Sequence, residues 1–245
     1  MLSVFDAQPV RERVIVALDC DAAEAFQLAD ALWGHASWLK VGMTLFYEQG
    51  PDVIRSLKER GFKVFLDLKF HDIPHQVEGA ARAAVKSGAD MVTMHAMGGQ
   101  EMMHEAQIGV VRAAASCGVE TPVTLGITVL TSMDKRSLEG IGIGLEVADL
   151  VAALAKDAQA AGLSGVVASP QEAAMLRAAL GAKAYIVTPG VRPAGAEKGD
   201  QSRVATPAQA FGAGASHIVV GRPITQAADP VAAFEEIVRS CHESD

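Results

Sequence analysis

Cysteine is scarce in this 245-residue chain: Cys20, Cys117 and Cys241 are odd in number, far apart and form no C-x-x-C pair. That spacing indicates neither a disulfide framework nor a zinc ribbon. Lysine and arginine are nowhere bunched and the formal net charge is −8, so nucleic acid is not the expected partner. A small anionic ligand remains compatible, because a local cluster of cations can oppose the global sign. No segment approaches the roughly 18 uncharged apolar residues of a membrane span. The opening MLSVFDAQPVRERV carries acidic and basic residues too early for a secretory signal. Neither a G-x-S-x-G nucleophile elbow nor a G-x-G-x-x-G after the first expected strand is present. The expectation is a reduced, cytoplasmic protein without a membrane segment.

What the chain does have is a regular alternation. Short β-branched runs at 14–19, 38–42, 63–69, 91–96, 123–130, 165–169, 184–190 and 217–223 read as strands, with Ala-rich helical stretches between them. Asp21 followed by Glu24 reads as a helix N-cap with an acidic first turn, and Gly61, Gly88, Gly118 and Gly162 stand where helices should stop. Strand–helix units repeated without a linker over this length predict an α/β fold, a single (β/α)8 TIM barrel over 1–245, with 1–12 as a short N-terminal extension. A doubly wound open sheet is the alternative, because counting strands does not prove closure. The GIGIG run at 140–144 lies in a long loop and reads as a flexible connection.

In such a barrel the chemistry comes from the C-terminal ends of the strands and the loops after them. The charged residues of the expected strands gather there. Asp19 ends the first strand, Lys40 lies in the second, Asp67 and Lys69 alternate with Leu66 and Leu68 in the third, and Asp72 follows. Period two puts Asp67 and Lys69 on one face and the leucines on the other. Each ammonium lowers the pKa of neighbouring carboxylates, and each carboxylate keeps an ammonium protonated. A structural charge network is the bland reading, but apolar side chains of similar size would usually serve that purpose as well. Ions supplied by three consecutive strand ends favour an active site.

Two further loops have the makeup of an anion site. GVRPAGAEKGDQ (190–201) follows the seventh strand, starting beside Pro189, and VGRPIT (220–225) belongs to the eighth. Barrels often hold phosphate there; Gly221 allows close backbone approach and Arg222 a charge-assisted contact. The Gly- and Pro-containing stretch from Pro189 to Ser202 reads as a lid. His71, Asp72, His75 and His95 offer ligand-type side chains without a clear metal-ligand spacing, so no metal is expected. His95 is expected to pack or hydrogen-bond under the site.

LDLKFHDIP (66–74) contains the D-x-K-x-x-D signature and resembles the orotidine 5′-phosphate decarboxylase family, in its bacterial pattern. VALD (16–19), LKVG (39–42), TVLTSM (128–133), TPGVRP (188–193), GDQ (199–201) and VGRPIT (220–225) are similar to that family's other blocks, in its order, so the resemblance spans about residue 13 to residue 235. It implies decarboxylation of orotidine 5′-monophosphate to UMP and CO2, with no cofactor. Lys40, Asp67, Lys69 and Asp72 are then the charged tetrad at the reacting carbon, with Lys69 the proton donor. Asp72 is implied to come from the partner subunit of a homodimer with shared sites. Asp19 is implied to bind the ribose and Thr131 the pyrimidine ring. Arg192, Gln201, Gly221 and Arg222 are implied to serve the 5′-phosphate and its closing loop, and Ile73 and Pro189 to line the substrate. Gln76 is implied to line the substrate as well, although many members have threonine there.

Loss of CO2 from C6 of orotate leaves electron density in an in-plane orbital. A fixed ammonium there stabilises the charge and then supplies the proton. The rival enzymatic reading is a Mg²⁺-dependent sugar-phosphate decarboxylase or aldolase on the same barrel. That group supplies a second-strand carboxylate for the metal, where this chain has Lys40. The rival from another class is a non-catalytic barrel that binds a phosphate ligand.

Overall fold

The computed structural model describes residues 3–192 and 205–241. Its eight strands are β1 (Val14–Leu18), β2 (Trp38–Gly42), β3 (Lys63–Phe70), β4 (Met91–His95), β5 (Val123–Ile127), β6 (Gly165–Val167), β7 (Tyr185–Thr188) and β8 (His217–Val220). They run parallel in sequence order, and β8 pairs with β1, so the sheet is a closed barrel. The doubly wound alternative is thereby excluded.

The strands read as apolar runs because both faces of a parallel sheet are covered. On β1, Val14, Val16 and Leu18 pack outward with the helices, while Ile15 and Ala17 pack inside the barrel with Trp38, Phe65, Met91, Leu125, Val187 and Val219. Ascending in steps of two, the inward face of β1 runs Ile15, Ala17 and then Asp19 at the mouth. The same steps give Trp38 then Lys40 on β2, and Phe65 then Asp67 on β3. The apolar barrel interior is therefore a pedestal under the ions.

The helices start and stop as the caps dictate. Asp21 accepts a hydrogen bond from the amide of Glu24 at 2.9 Å and caps the helix Ala22–Leu32. Gly118 closes the helix Gly99–Cys117 with φ 67°, a conformation glycine adopts without a Cβ penalty. Several expected strands end early, most of all β5 at Ile127 and β8 at Val220, and also β6 at Val167 and β7 at Thr188. Beyond β5, the Thr128 side chain and amide both bond the carbonyl of Val167, after which the chain turns over the barrel mouth. The Gly-rich run at 140–144 ends the short helix Lys135–Gly140, and Lys135 Nζ donates to the Gly144 carbonyl at 2.6 Å.

Residues 4–13 are more than an extension. Val4–Ala7 and Val10–Arg13 form two 3₁₀ turns that close the bottom of the barrel. Phe5 is buried edge-on against Tyr185 (ring centroids 4.6 Å apart) and His217 (5.7 Å), at the first residues of β7 and β8. The Arg13 guanidinium donates to the carbonyls of Ser216 (2.9 Å) and Ala215 (3.0 Å), and the Val4 amide to that of Ala182 (3.2 Å). Short 3₁₀ turns lack a sustained periodicity, so a reading based on period cannot see them.

Candidate active site

The mouth of the barrel holds a cavity of about 720 Å³. Its floor is the apolar top of the barrel, including Phe65, Ile127 and Val219, and four ionic side chains rise from that floor along one wall. Lys40 Nζ lies 2.8 Å from Asp19 Oδ1 and 3.6 Å from Asp67 Oδ2, and Lys69 Nζ lies 2.8 Å from the same Asp67 oxygen. The result is an alternating chain Asp19–Lys40–Asp67–Lys69 with no net charge.

Its members differ in exposure, and the difference assigns their parts. The side chains of Lys40 (10 % exposed) and Asp67 (11 %) are sunk in the wall, whereas those of Lys69 (30 %) and Asp19 (63 %) open to the cavity. Burial works against the charge on Lys40, but Asp67 and Asp19 outweigh it and hold its pKa above the ordinary lysine value. Burial likewise opposes the Asp67 carboxylate, yet Lys40, Lys69 and the hydrogen bonds from Lys69 and Thr93 hold its pKa below the usual carboxylate range. Both buried groups are thus ionised and paired. Glycine eases the close approach at this point: a Cβ on Gly42 would stand 3.0 Å from Asp19 Oδ1 and 3.2 Å from Lys40 Nζ.

The alternation expected for β3 holds for its side chains but not for its backbone. Leu66 and Leu68 pack outward against the helix-side core while Asp67 and Lys69 face the cavity. The ladder to β4 pairs Leu66 with Val92 and next Phe70 with Met94, so β3 advances four residues while β4 advances two. Within this bulge Lys69 has φ 52°, and among the described residues it is the only non-glycine with positive φ. Bulges of this kind re-aim side chains near active sites. Thr93 of β4, fully buried, accepts from the Lys69 amide and donates to Asp67 Oδ1, each at 2.9 Å.

Thr131, Pro189, Arg192, Gly221 and Arg222 also line the cavity, on the loops after β5, β7 and β8. Gln201 lies outside the described residues. Asp72, Ile73 and Gln76 are not brought into the cavity of their own chain: all three are exposed on the turn and first helical residues after β3. There the Asp72 carboxylate accepts from the following Ile73 amide at 2.6 Å. His95 stacks on His71 at 5.2 Å, and its Nδ1 is buried without a hydrogen-bond partner among the described residues. Burial, then His71 and Lys69, push the His95 pKa down. Among the described residues, no three His, Cys, Asp or Glu side chains form a group able to hold a metal ion. Thr93 and Thr44, the latter lining the cavity, went unnoticed in the sequence. The strand period places Thr93 on the same inward face as His95, two residues on, but carries no sign of its two hydrogen bonds.

This wall, a buried ion chain ending in an ammonium that opens to a cavity, offers electrostatic stabilisation and a proton at one point. A family model described as "Orotidine 5'-phosphate decarboxylase / HUMPS family" matches residues 12–237. The chain belongs to that family. It is 51 % identical over 229 residues to the orotidine 5′-phosphate decarboxylase of Moorella thermoacetica, covering 93 % of this chain and 91 % of the relative. The enzyme of the same name from Vibrio cholerae is 49 % identical over 226 residues, 92 % of this chain and 96 % of the relative. The crystal structure of orotidine 5′-phosphate decarboxylase from Lactobacillus acidophilus superposes with a TM-score of 0.83 at 40 % identity, covering 95 % of this chain and all of that one (100 %). Among the described residues no helix is long and apolar enough to cross a membrane.

Proposed function

We propose that the protein is a carboxy-lyase that converts orotidine 5′-monophosphate to UMP and CO2, the closing step of pyrimidine nucleotide synthesis. The observation that carries this reading is the ion chain Asp19–Lys40–Asp67–Lys69 with its last ammonium open to the cavity. In the reaction the bond between C6 and the carboxylate breaks, CO2 leaves, and the electron pair stays on C6. Lys69 stabilises that charge because Asp67 has already oriented the ammonium, so little reorganisation accompanies the step. A proton then passes from Nζ to C6, and the neutral amine recovers one from solvent. Lys40 keeps Asp67 ionised, and Asp67 keeps Lys69 in place. Asp19 and Thr131 serve the ribose and the base, while Arg192, Arg222 and the Gly221 backbone receive the phosphate.

Asp72 completes the site in a second copy of the chain. It is exposed on its own subunit, beside the apolar Ile73 (63 % exposed), and apolar side chains in such positions mark contact surfaces. A homodimer with composite sites accounts for a turn that reaches away from its own cavity. Unpaired thiols at Cys20, Cys117 and Cys241 suit a reduced cytoplasmic setting.

The Mg²⁺-dependent reading fits this wall poorly, because the Lys40 ammonium occupies the place between Asp19 and Asp67 where a cation would bind. A barrel that only binds a phosphate ligand gives no reason for burying Lys40 and Asp67 together. Purified protein is expected to consume orotidine 5′-monophosphate and release UMP in the presence of a chelator. An absolute Mg²⁺ requirement, or no turnover of that nucleotide, would overturn the reading.

A further inference from the structure

The positions of Asp67 and Lys69 depend on a backbone shape that β3 does not specify by itself. A left-handed φ is disfavoured for any residue with a Cβ, and the stretch Leu68-Lys69-Phe70 has no glycine to relieve it. Such a conformation persists only where its surroundings over-determine it. Those surroundings are the inward face of β4. A hydroxyl is one donor and two acceptors, so the Thr93 oxygen can hold the Lys69 amide and the Asp67 carboxylate at once, both at 2.9 Å. Two residues on, His95 stacks against His71, just past the bulge, at 5.2 Å and an interplanar angle of 24°. Gly98 packs closely on the Met102 side chain beside that ring: a Cβ there would run into Met102 Sδ and stand 3.3 Å from His71 Cδ2.

We propose that Thr93 is a positioning residue for decarboxylation: its hydroxyl fixes the β3 bulge that aims the Lys69 ammonium into the cavity, and it orients Asp67 as the counter-ion. The His71–His95 stack steadies the exit of the same bulge. Thr93 does not line the cavity and acts only through its two neighbours. A threonine that merely filled this fully buried site would be replaceable by valine, which has the same shape and no polar atom to bury. Here valine would leave the Lys69 amide without its acceptor, and the bulge would relax. A shift of about 1 Å in a catalytic group can cost on the order of 100-fold in rate.

The inference rests on the proposed reaction, which provides the assay. The wild type, Thr93→Val and Thr93→Ser are compared by kcat, KM, pH profile and thermal unfolding. Thr93→Val is expected to lower kcat by roughly 10- to 100-fold with little change in KM, as loss of a charge-assisted hydrogen bond and of alignment implies. Thr93→Ser keeps the hydroxyl and is expected to restore kcat to within about threefold. The groups facing Asp67 are Lys40 from β2, Lys69 from its own strand and Thr93 from β4, with Asp19 beyond Lys40. Removing the hydroxyl takes away a bond that favours the Asp67 carboxylate, so the acid limb of the profile is expected to move to higher pH in Thr93→Val.

Near-normal kcat in Thr93→Val, or an equal loss in Thr93→Ser, would overturn the role. If Thr93→Val does not fold, Thr93→Ala carries the same expectation. Absence of turnover in the wild type would instead defeat the proposed reaction. The crystal structure of the folded hydroxyl-free variant then decides the inference: Lys69 leaves its positive φ if the hydroxyl sets the bulge and keeps it if not.

Discussion

At the mouth, Lys40 and Asp67 are buried against each other; at the bottom, Arg13 and Arg177 are buried against backbone carbonyls. Arg177 donates to the carbonyls of Gly214 (3.1 Å), Gly181 (2.7 Å) and Ala184 (2.8 Å), as Arg13 does to those of Ser216 and Ala215. Arg13 also meets the Asp6 carboxylate at 3.3 Å, but a carbonyl cannot gain or lose a proton in this pH range, so most of what holds the bottom charges is fixed. At the mouth each ion's partner is itself titratable, and the chain can hold, orient and give up a proton. Burial of charge is common to both ends. What separates structure from chemistry is the kind of group that answers the charge.

The largest expected effect is at the open end of the ion chain. Lys69→Ala should lower kcat by roughly 10⁴-fold while retaining measurable nucleotide binding, because the electrostatic and proton-donor contributions are lost together. Near-normal kcat in that variant would erase the contrast between the two ends. Mixing inactive Lys69→Ala and Asp72→Ala subunits comes next. Random exchange makes about half of the dimers hybrid, each with one unmutated site, so activity should return to about a quarter of the wild-type value. No recovery after verified exchange would argue against shared sites.

At the bottom, Phe5→Ala should lower unfolding free energy by about 3 kcal/mol, the usual scale for emptying a buried phenylalanine site. Since Phe5 packs against the first residues of β7 and β8, kcat at a temperature where the variant is folded should change by less than about twofold. A large loss of kcat would show the two ends to be coupled. The smallest effect is a titration. Burial, with Arg13 and Lys63 nearby, pushes His217 down to about 3 from an ordinary 6.5. Its neutral form therefore contributes fully above pH about 6.5, and stability falls as the pH drops toward about 3, because the unfolded chain takes up the proton first. Between pH 7 and pH 5 the wild type should lose roughly 2 kcal/mol more than His217→Gln, measured by denaturant unfolding. Parallel pH dependences would contradict this.

The mouth was far more legible in the sequence than the bottom. Asp67 and Lys69 stood out because charge is rare in buried strands, and Lys40 and Asp19 because they lie near the mouth ends of the strands one and two places earlier. Thr93 did not stand out, since threonine is an ordinary strand residue and its role exists only once β4 lies beside β3. The left-handed Lys69 was hidden for the same reason: nothing in Leu68-Lys69-Phe70 signals a bulge, which arises from the partner strand. The 3₁₀ turns of residues 4–13 were invisible to period, and Phe5 has its partners some two hundred residues away. Asp72 was visible in its motif, but its place outside its own cavity follows from the turn geometry.

The bottom closure also has a consequence in time. Arg13 and the carbonyls it holds are separated by 203 and 202 residues, and Ser3 reaches the Ala182 carbonyl across 179. Chain growth runs from the amino end, so this segment leaves the ribosome long before its docking surface exists. It must stay unengaged through most of synthesis and seat only when the seventh and eighth strands arrive. The same event joins the last strand to the first. Residues made before any strand are therefore among the last to be placed, and their seating marks the completed ring.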